Sequence, residues 1–115
     1  MNICIVSPHI DDAILSCGIR IQREIAAGNT VFILDIFSAG TNGENRQKEE
    51  QRAARIIGAE PHFLNELDAP DRDSRYSSVK ELFLGDLRHV PVSFIEKLAG
   101  RIADFFKLHN ITRAW

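Results

Sequence analysis

The sequence predicts an α/β fold, a parallel β-sheet with helices on both of its faces. Short apolar runs typical of buried strands alternate with segments of helical periodicity along all 115 residues. The resulting order is β-α-β-α-β-loop-α-β, which is typical of a parallel sheet whose crossover helices cover its faces. The composition, 44% hydrophobic and 26% charged, is that of an ordinary globular domain. We therefore predict a single domain over residues 1–115.

Two strands and the helix between them make up the start of the predicted fold. Asn2–Ser7 is almost continuously apolar, which indicates a strand buried on both faces. Residues 11–27 carry apolar side chains at helical spacing, and Gly28 and Asn29 end this helix because both tolerate left-handed backbone. β-Branched and aromatic side chains predict a second buried strand over residues 30–37.

A loop, a charged helix and a short strand follow. The Gly- and Asn-containing residues 38–45 predict the loop. Residues 46–57 predict a helix that ends at Gly58, and we expect its charges from Lys48 to Arg55 to form mostly a solvated face. Residues 61–64 predict the third strand.

The last third combines a long polar segment with an amphipathic helix. Residues 65–90 predict a loop with one helical turn near residues 79–83, and loops of this length tend to be functional. Pro91 stands where a first helical turn would begin, and the helix continues to Phe106. Residues 111–115 open a fourth strand. Because the sequence ends inside this strand, we expect that the fold is truncated soon after the fourth strand begins.

Charge and cysteine content exclude several classes of protein. The net charge is −2, with no basic stripe, which argues against a nucleic-acid partner. No apolar run approaches the roughly 18 residues of a membrane span, and the N-terminus lacks the pattern of a signal peptide. Cys4 and Cys17 are too few for a disulfide scaffold and are predicted to be core thiols. The sequence therefore predicts a reduced, cytoplasmic protein without a membrane partner.

The segment Ser7-Pro8-His9-Ile10-Asp11-Asp12 places an imidazole and two carboxylates where the first strand turns into the first helix. Ligands of parallel α/β sheets bind at this edge. An alternative is that Asp11 or Asp12 only caps the helix and that His9 is a hydrogen-bonded loop residue. Adjacent carboxylates repel each other, however, and a divalent cation would relieve that repulsion. Imidazole and carboxylate together suit zinc.

This segment resembles the Pro-His-x-Asp-Asp motif of the LmbE/PIG-L family of zinc-dependent N-deacetylases. The similarity covers about the first 72 residues and continues in four further stretches. These are Leu15-Ser16-Cys17-Gly18, Ala27-Gly28-Asn29-Thr30-Val31, the set Arg46, Glu49, Ala53, Ala54, Ile57 and Gly58, and Asp68-Ala69-Pro70 with Arg72.

The resemblance implies a Rossmann-like fold and a hydrolase that removes acyl groups, usually acetyl, from amino sugars and related glycoconjugates. It implies Zn²⁺ as cofactor, with His9 and Asp12 as the first two zinc ligands and Asp11 as the general base. Arg46 and Asp68 match positions near the substrate. Many members of the family self-associate, so a homo-oligomer is a further implied partner.

The family's third zinc ligand comes from a His-x-x-His segment, which we expect beyond residue 115. We predict that His62, His89 and His109 are structural or exposed, because none has that context. Two alternatives remain open. One is a non-catalytic relic of the fold that binds a sugar or a partner. The other is a receiver-type phosphoacceptor domain, which is disfavoured because the third strand ends without an acceptor Asp and because His9 would have no role.

Overall fold

The computed structural model describes residues 1–78 and 90–115. Its centre is a sheet of four parallel strands in the order β3-β2-β1-β4. The strands are β1 (Asn2–Ser7), β2 (Thr30–Asp35), β3 (Glu60–Phe63) and β4 (Arg113–Ala114). Ser7 pairs with Asp35, and Asp35 pairs with Phe63, so three strands end at the same level. The predicted parallel sheet is confirmed, and the ends of β1, β2 and β3 lie side by side at its carboxyl edge.

In the two described ranges, three long helices and one short helix connect the strands. They are α1 (Asp12–Ala26), α2 (Gly43–Ile57), α3 (Ala69–Arg72) and α4 (Val92–Leu108), with a 3-10 turn at Ser74–Tyr76. None of the helices in the two described ranges is long and apolar enough to cross a membrane. The helical turn predicted at residues 79–83 and the prediction for His89 lie outside the described residues.

The starts of α2 and α4 differ from the prediction. Helix α2 begins at Gly43, three residues before the predicted start at Arg46, because Asn42 takes a left-handed conformation (φ 62°) and turns the chain directly into the helix. A Cβ atom at Gly43 would lie 2.9 Å from the Ser38 carbonyl oxygen, so only glycine fits this start. Pro91 lies in extended backbone immediately before α4, not in its first turn.

Each face of the sheet has its own apolar core. Helices α1 and α2 cover one face, with a core of Ile5, Ala13, Ile21, Val31, Ile33, Ala54 and Ala59. Helix α4 covers the other, with a core of Cys4, Phe32, Leu34, Ile36, Leu64 and Phe105. Each fully buried Leu or Ile stabilises the fold by about 1.5–3 kcal/mol. Burial raises the pKa of the Cys4 thiol to about 12, which confirms it as a core thiol.

Glu50 is the exception on the mostly solvated face predicted for the charged residues from Lys48 to Arg55. This side chain is 0% exposed and lies one turn before Ala54, which is equally buried. Because many residues of this helix are charged, its sequence pattern does not reveal that the face packed against the sheet includes an acidic residue.

His62 and His109 pack together at the edge of the α4 core. Their ring centroids are 4.8 Å apart, and both rings contact Phe32 and Phe105. Burial, and then the charge of His109, lower the pKa of His62. These contacts give both rings the structural role that the sequence predicted.

Candidate active site

The turn between β1 and α1, residues 8–11, forms a sharp elbow at the carboxyl edge of the sheet. Asp11 has φ 79°, a left-handed conformation that Asp tolerates better than most residues. The Ser7 hydroxyl donates to the His9 carbonyl oxygen at 2.7 Å, and the Leu15 N–H donates to the Asp11 carbonyl oxygen at 3.0 Å. Although Asp11 occupies the N-cap position of α1, its side chain makes no capping hydrogen bond. The capping alternative therefore does not account for this carboxylate.

The His9 ring lies between two carboxylates. Its Nδ1 is 3.2 Å from Asp12 Oδ2, and its Nε2 is 2.9 Å from Asp68 Oδ2. The Phe37 ring packs at 5.9 Å between centroids. The three polar side chains are each 39–48% exposed, so the site is fixed in geometry and open to solvent.

The geometry of His9 and Asp12 fits a zinc ion. Two ligand atoms on a tetrahedral zinc lie about 3.3 Å apart, given zinc–ligand bonds of roughly 2.0–2.1 Å. The Nδ1–Oδ2 separation of 3.2 Å matches that edge, and without a cation it lets a protonated Nδ1 donate to Asp12. When Nε2 carries the ring hydrogen and donates to Asp68, the Nδ1 lone pair is left for a metal.

His9 and Asp12 would supply two ligands. Within residues 1–78 and 90–115, no set of three or more His, Cys, Asp or Glu side chains is arranged to hold a metal ion. The third ligand, expected in a His-x-x-His segment beyond residue 115, stays a prediction.

Asp68 reaches His9 because the loop after β3 runs across the end of β2. The Glu66 N–H donates to the Ile36 carbonyl oxygen at 3.1 Å, and the Ala39 N–H donates to the Glu66 carbonyl oxygen at 3.3 Å. Asp68 Oδ1 accepts from the Ala69 N–H at 2.7 Å and caps α3, while Oδ2 faces His9. Both oxygens of Asp68 thus have partners in the protein, and its predicted contact with substrate stays a prediction.

Arg46 reaches the elbow from the first turn of α2. Its Nη2 donates to the Ile10 carbonyl oxygen at 3.1 Å and lies 3.7 Å from Asp11 Oδ2. Both side chains are 46% exposed, so this ion pair contributes at most about 1 kcal/mol to stability. Its main effect is to place a cation beside Asp11 at the predicted substrate side.

Asp35 and Glu50, which the sequence analysis did not single out, lie beneath this site. Both are 0% exposed. Burial, with the charge of Glu50 adding to it, raises the pKa of Asp35 to about 7, and the Ser7 hydroxyl offsets this only in part. Burial, with the charge of Asp11 adding to it, raises the pKa of Glu50 to about 7. An acid at the end of an apolar strand was the signal that could have identified Asp35.

Comparison with known proteins now identifies the family. Residues 4–111 match the family described as PIG-L, GlcNAc-PI de-N-acetylase. The chain belongs to the PIG-L family. This membership leaves the receiver-type alternative without support. Among curated protein sequences, none matches the chain.

Three solved structures share the fold. The zinc-inhibited form of the teicoplanin deacetylase Orf2 has a TM-score of 0.79 at 19% identity, over 99% of this chain and 55% of its own. The N,N′-diacetylchitobiose deacetylase of Pyrococcus horikoshii has a TM-score of 0.52 at 23% identity, over 58% of this chain and 30% of its own. GalB, the 4-carboxy-2-hydroxymuconate hydratase of Pseudomonas putida KT2440, has a TM-score of 0.65 at 19% identity, over 98% of this chain and 45% of its own.

At these identities the likeness shows the fold alone. It confirms the Rossmann-like α/β architecture, and the chain spans about half the length of the deacetylase Orf2 and of GalB. Because the same fold also carries a hydratase, the reaction has to be argued from the site.

Proposed function

We propose that this chain provides part of the active site of a zinc-dependent N-deacetylase that removes an acyl group, usually acetyl, from an amino sugar or glycoconjugate. The observation that carries the proposal is the 3.2 Å separation of His9 Nδ1 and Asp12 Oδ2. The neighbouring Asp11 carboxylate makes no capping hydrogen bond to the helix. Family membership supports the reaction class. The two deacetylases of this fold are named for teicoplanin and for N,N′-diacetylchitobiose, which supports the substrate class.

His9 and Asp12 would hold the zinc ion. When bound, zinc supplies a water molecule of lowered pKa, near 7, and stabilises negative charge on the acyl oxygen. Asp11 would accept a proton from the water that attacks the amide carbon and would then deliver a proton to the amine nitrogen as the C–N bond breaks. The products are a carboxylate and a free amine. Arg46 orients Asp11 during both transfers.

Arg46 and Asp68 are proposed to contact the substrate with their exposed parts. Arg46 offers a cation and Asp68 a carboxylate, and these groups suit the hydroxyls of a sugar. The free thiols of Cys4 and Cys17 support the proposed reduced, cytoplasmic setting. Self-association stays a prediction.

The second candidate is a non-catalytic relic that binds a sugar or a partner. The observation on its side is that no group of three or more potential metal ligands lies in the described part of the chain. The two candidates differ in metal binding, because a relic has no need of a zinc ion at His9 and Asp12.

The test is the zinc content of the purified chain, measured by elemental analysis after gel filtration in equimolar zinc. We compare wild type with His9→Ala and Asp12→Ala, and use Asp104→Ala, which removes an exposed carboxylate on α4, as the control. We expect zinc in wild type and in the control, and a loss of at least tenfold in both site variants. Unchanged zinc in Asp12→Ala would reduce that residue to a helix-terminal carboxylate, and the absence of zinc from a longer chain that includes the His-x-x-His segment would favour the relic.

A further inference from the structure

Glu50 is a buried acid that needs an acceptor. It is fully buried, and neither carboxyl oxygen has a well-formed hydrogen bond within the described residues, although the Asp11 backbone N–H lowers its pKa in part. An ionised carboxylate in such surroundings costs several kcal/mol. Glu50 is therefore held as a neutral carboxylic acid, and its own O–H has to donate to a neighbouring oxygen.

The neighbouring side chain of Asp35 supports the conclusion that Glu50 is neutral. It is also fully buried, its oxygens have no well-formed hydrogen bond in the same part of the chain although the Ser7 hydroxyl lowers its pKa in part, and its carboxyl interacts with that of Glu50. The pairing of Asp35 with Ser7 places it directly below the elbow. Two neighbouring buried carboxyls cannot both be ionised, because each negative charge raises the cost of the other.

Arg46 shows which part of the fold is approached by the face of α2 that carries Glu50. Arg46 and Glu50 are four residues apart and therefore lie on the same side of the helix, one turn from each other. Arg46 contacts Ile10 and Asp11 from the exposed side of the elbow. Glu50 is close enough to Asp11 for the charge of that carboxylate and a hydrogen bond between the two side chains to raise the pKa of Glu50.

We propose that Glu50 is a positioning residue for Asp11: its neutral carboxyl donates its hydrogen to one oxygen of the Asp11 carboxylate. The Asp11 side chain is then held between the Arg46 guanidinium and the Glu50 O–H. A general base has to point at the proton it removes, so this contact fixes the direction that the reaction needs. The importance of the contact for catalysis rests on the proposed function, whereas the contact itself does not.

The test follows carboxyl groups by NMR in the zinc-free 115-residue chain at pH 6, with ¹³C in the side-chain carboxyls of Asp and Glu. The variants are Glu50→Met, which keeps the volume and removes the donor, and Glu50→Gln, which restores an N–H donor. In wild type, we expect Glu50 at the chemical shift of a neutral acid. The Asp11 resonance, assigned by its absence in Asp11→Asn, should move in Glu50→Met and return toward the wild-type position in Glu50→Gln.

Glu49→Gln is the matched control, since Glu49 is the exposed neighbour of Glu50 on the same helix. It should leave the Asp11 resonance in place. The proposal is overturned if Glu50 in wild type has the shift of an ionised carboxylate, or if Asp11 is identical in wild type and Glu50→Met. Should Glu50→Met fail to fold, the state of Glu50 in wild type and the Asp11 shift in Glu50→Gln decide instead.

Failure of the two proposals can be told apart, because the NMR measurement contains no zinc and no substrate. The absence of zinc from a longer chain that includes the His-x-x-His segment refutes the proposed zinc site and leaves the Glu50–Asp11 measurement intact. Zinc binding that depends on His9 and Asp12, together with an Asp11 resonance indifferent to Glu50, refutes the positioning role alone.

Discussion

His9 Nε2 lies 2.9 Å from Asp68 Oδ2, a contact between side chains 59 positions apart in the sequence. It joins the elbow after β1 to the loop after β3, although β2 separates these two strands in the sheet. The loop therefore has to cross the end of β2, and the backbone bonds between Ala39, Ile36 and Glu66 hold it there. Asp68 makes this loop part of the candidate zinc site.

Removing Asp68 should weaken zinc binding. A carboxylate on the second ring nitrogen orients a zinc-binding histidine and raises its basicity, and losing such a group typically costs 10- to 100-fold in affinity. We expect this loss in Asp68→Ala, measured by competition with a chromogenic chelator. Asp68→Asn should lose less, because its amide oxygen still accepts from Nε2 and still caps α3. Equal affinities in wild type and Asp68→Ala would mean that Asp68 does not support His9.

Asp11→Asn should separate metal binding from turnover. Asn accepts left-handed backbone at least as readily as Asp, so the elbow at φ 79° should persist. The variant lacks the base and keeps His9 and Asp12. We expect wild-type zinc content and a loss of roughly 10²- to 10⁴-fold in the release of acetate from an N-acetylated amino sugar. Undiminished activity would remove the assigned role from Asp11.

Stability should fall as the pH rises from about 4 to about 7, because of Asp35. Its folded-state pKa is raised from 3.8 to about 7, so the folded chain holds a proton that the unfolded chain releases. The associated stability is complete at acidic pH and is lost as the pH approaches 7. Asp35→Asn removes this ionisation and should be more stable than wild type at pH 8, as measured by urea unfolding. Asp104→Asn serves as control, and a wild-type pH slope in Asp35→Asn would contradict the prediction.

The part of the site that could be predicted is the part that is contiguous in the sequence. His9, Asp11 and Asp12 follow an apolar run within a few residues, and a strand that turns into a helix brings them together without distant contacts. Cys4 was predictable as a core thiol for a similar reason, since its neighbours in the strand define its burial.

Contacts across the fold could not be predicted in the same way. The bond between Asp68 and His9 depends on the register of β3 and on the path of a loop, and no local pattern encodes either. The burial of Glu50 was missed because composition reports how many charges a helix carries. Which of them faces the sheet depends on a helix start at Gly43, which a close approach to Ser38 determines.

Arg101 is expected to anchor α4 to the loop that carries Asp68. Its guanidinium forms an ion pair with Glu66, which is 8% exposed, and donates to the Leu64 carbonyl oxygen at 2.7 Å. Arg101→Met should lower the free energy of unfolding by about 2–3 kcal/mol, because it leaves a buried carboxylate short of a partner. Lys97→Met should cost less than about 1 kcal/mol, since Lys97 is 60% exposed at 3.3 Å from the same carboxylate.

The pH dependence of this anchor has a defined sign. Burial alone would raise the pKa of Glu66, but the hydrogen bonds and charges of Lys97 and Arg101 outweigh it and lower that pKa. The stability from Glu66 is therefore present above its ordinary pKa and is lost as the pH falls through the lowered one. Urea unfolding at pH 7 and pH 3 should show a smaller difference between wild type and Arg101→Met at the acidic pH. A difference that stays constant would assign the effect of Arg101 to its bond with Leu64 instead of its charge.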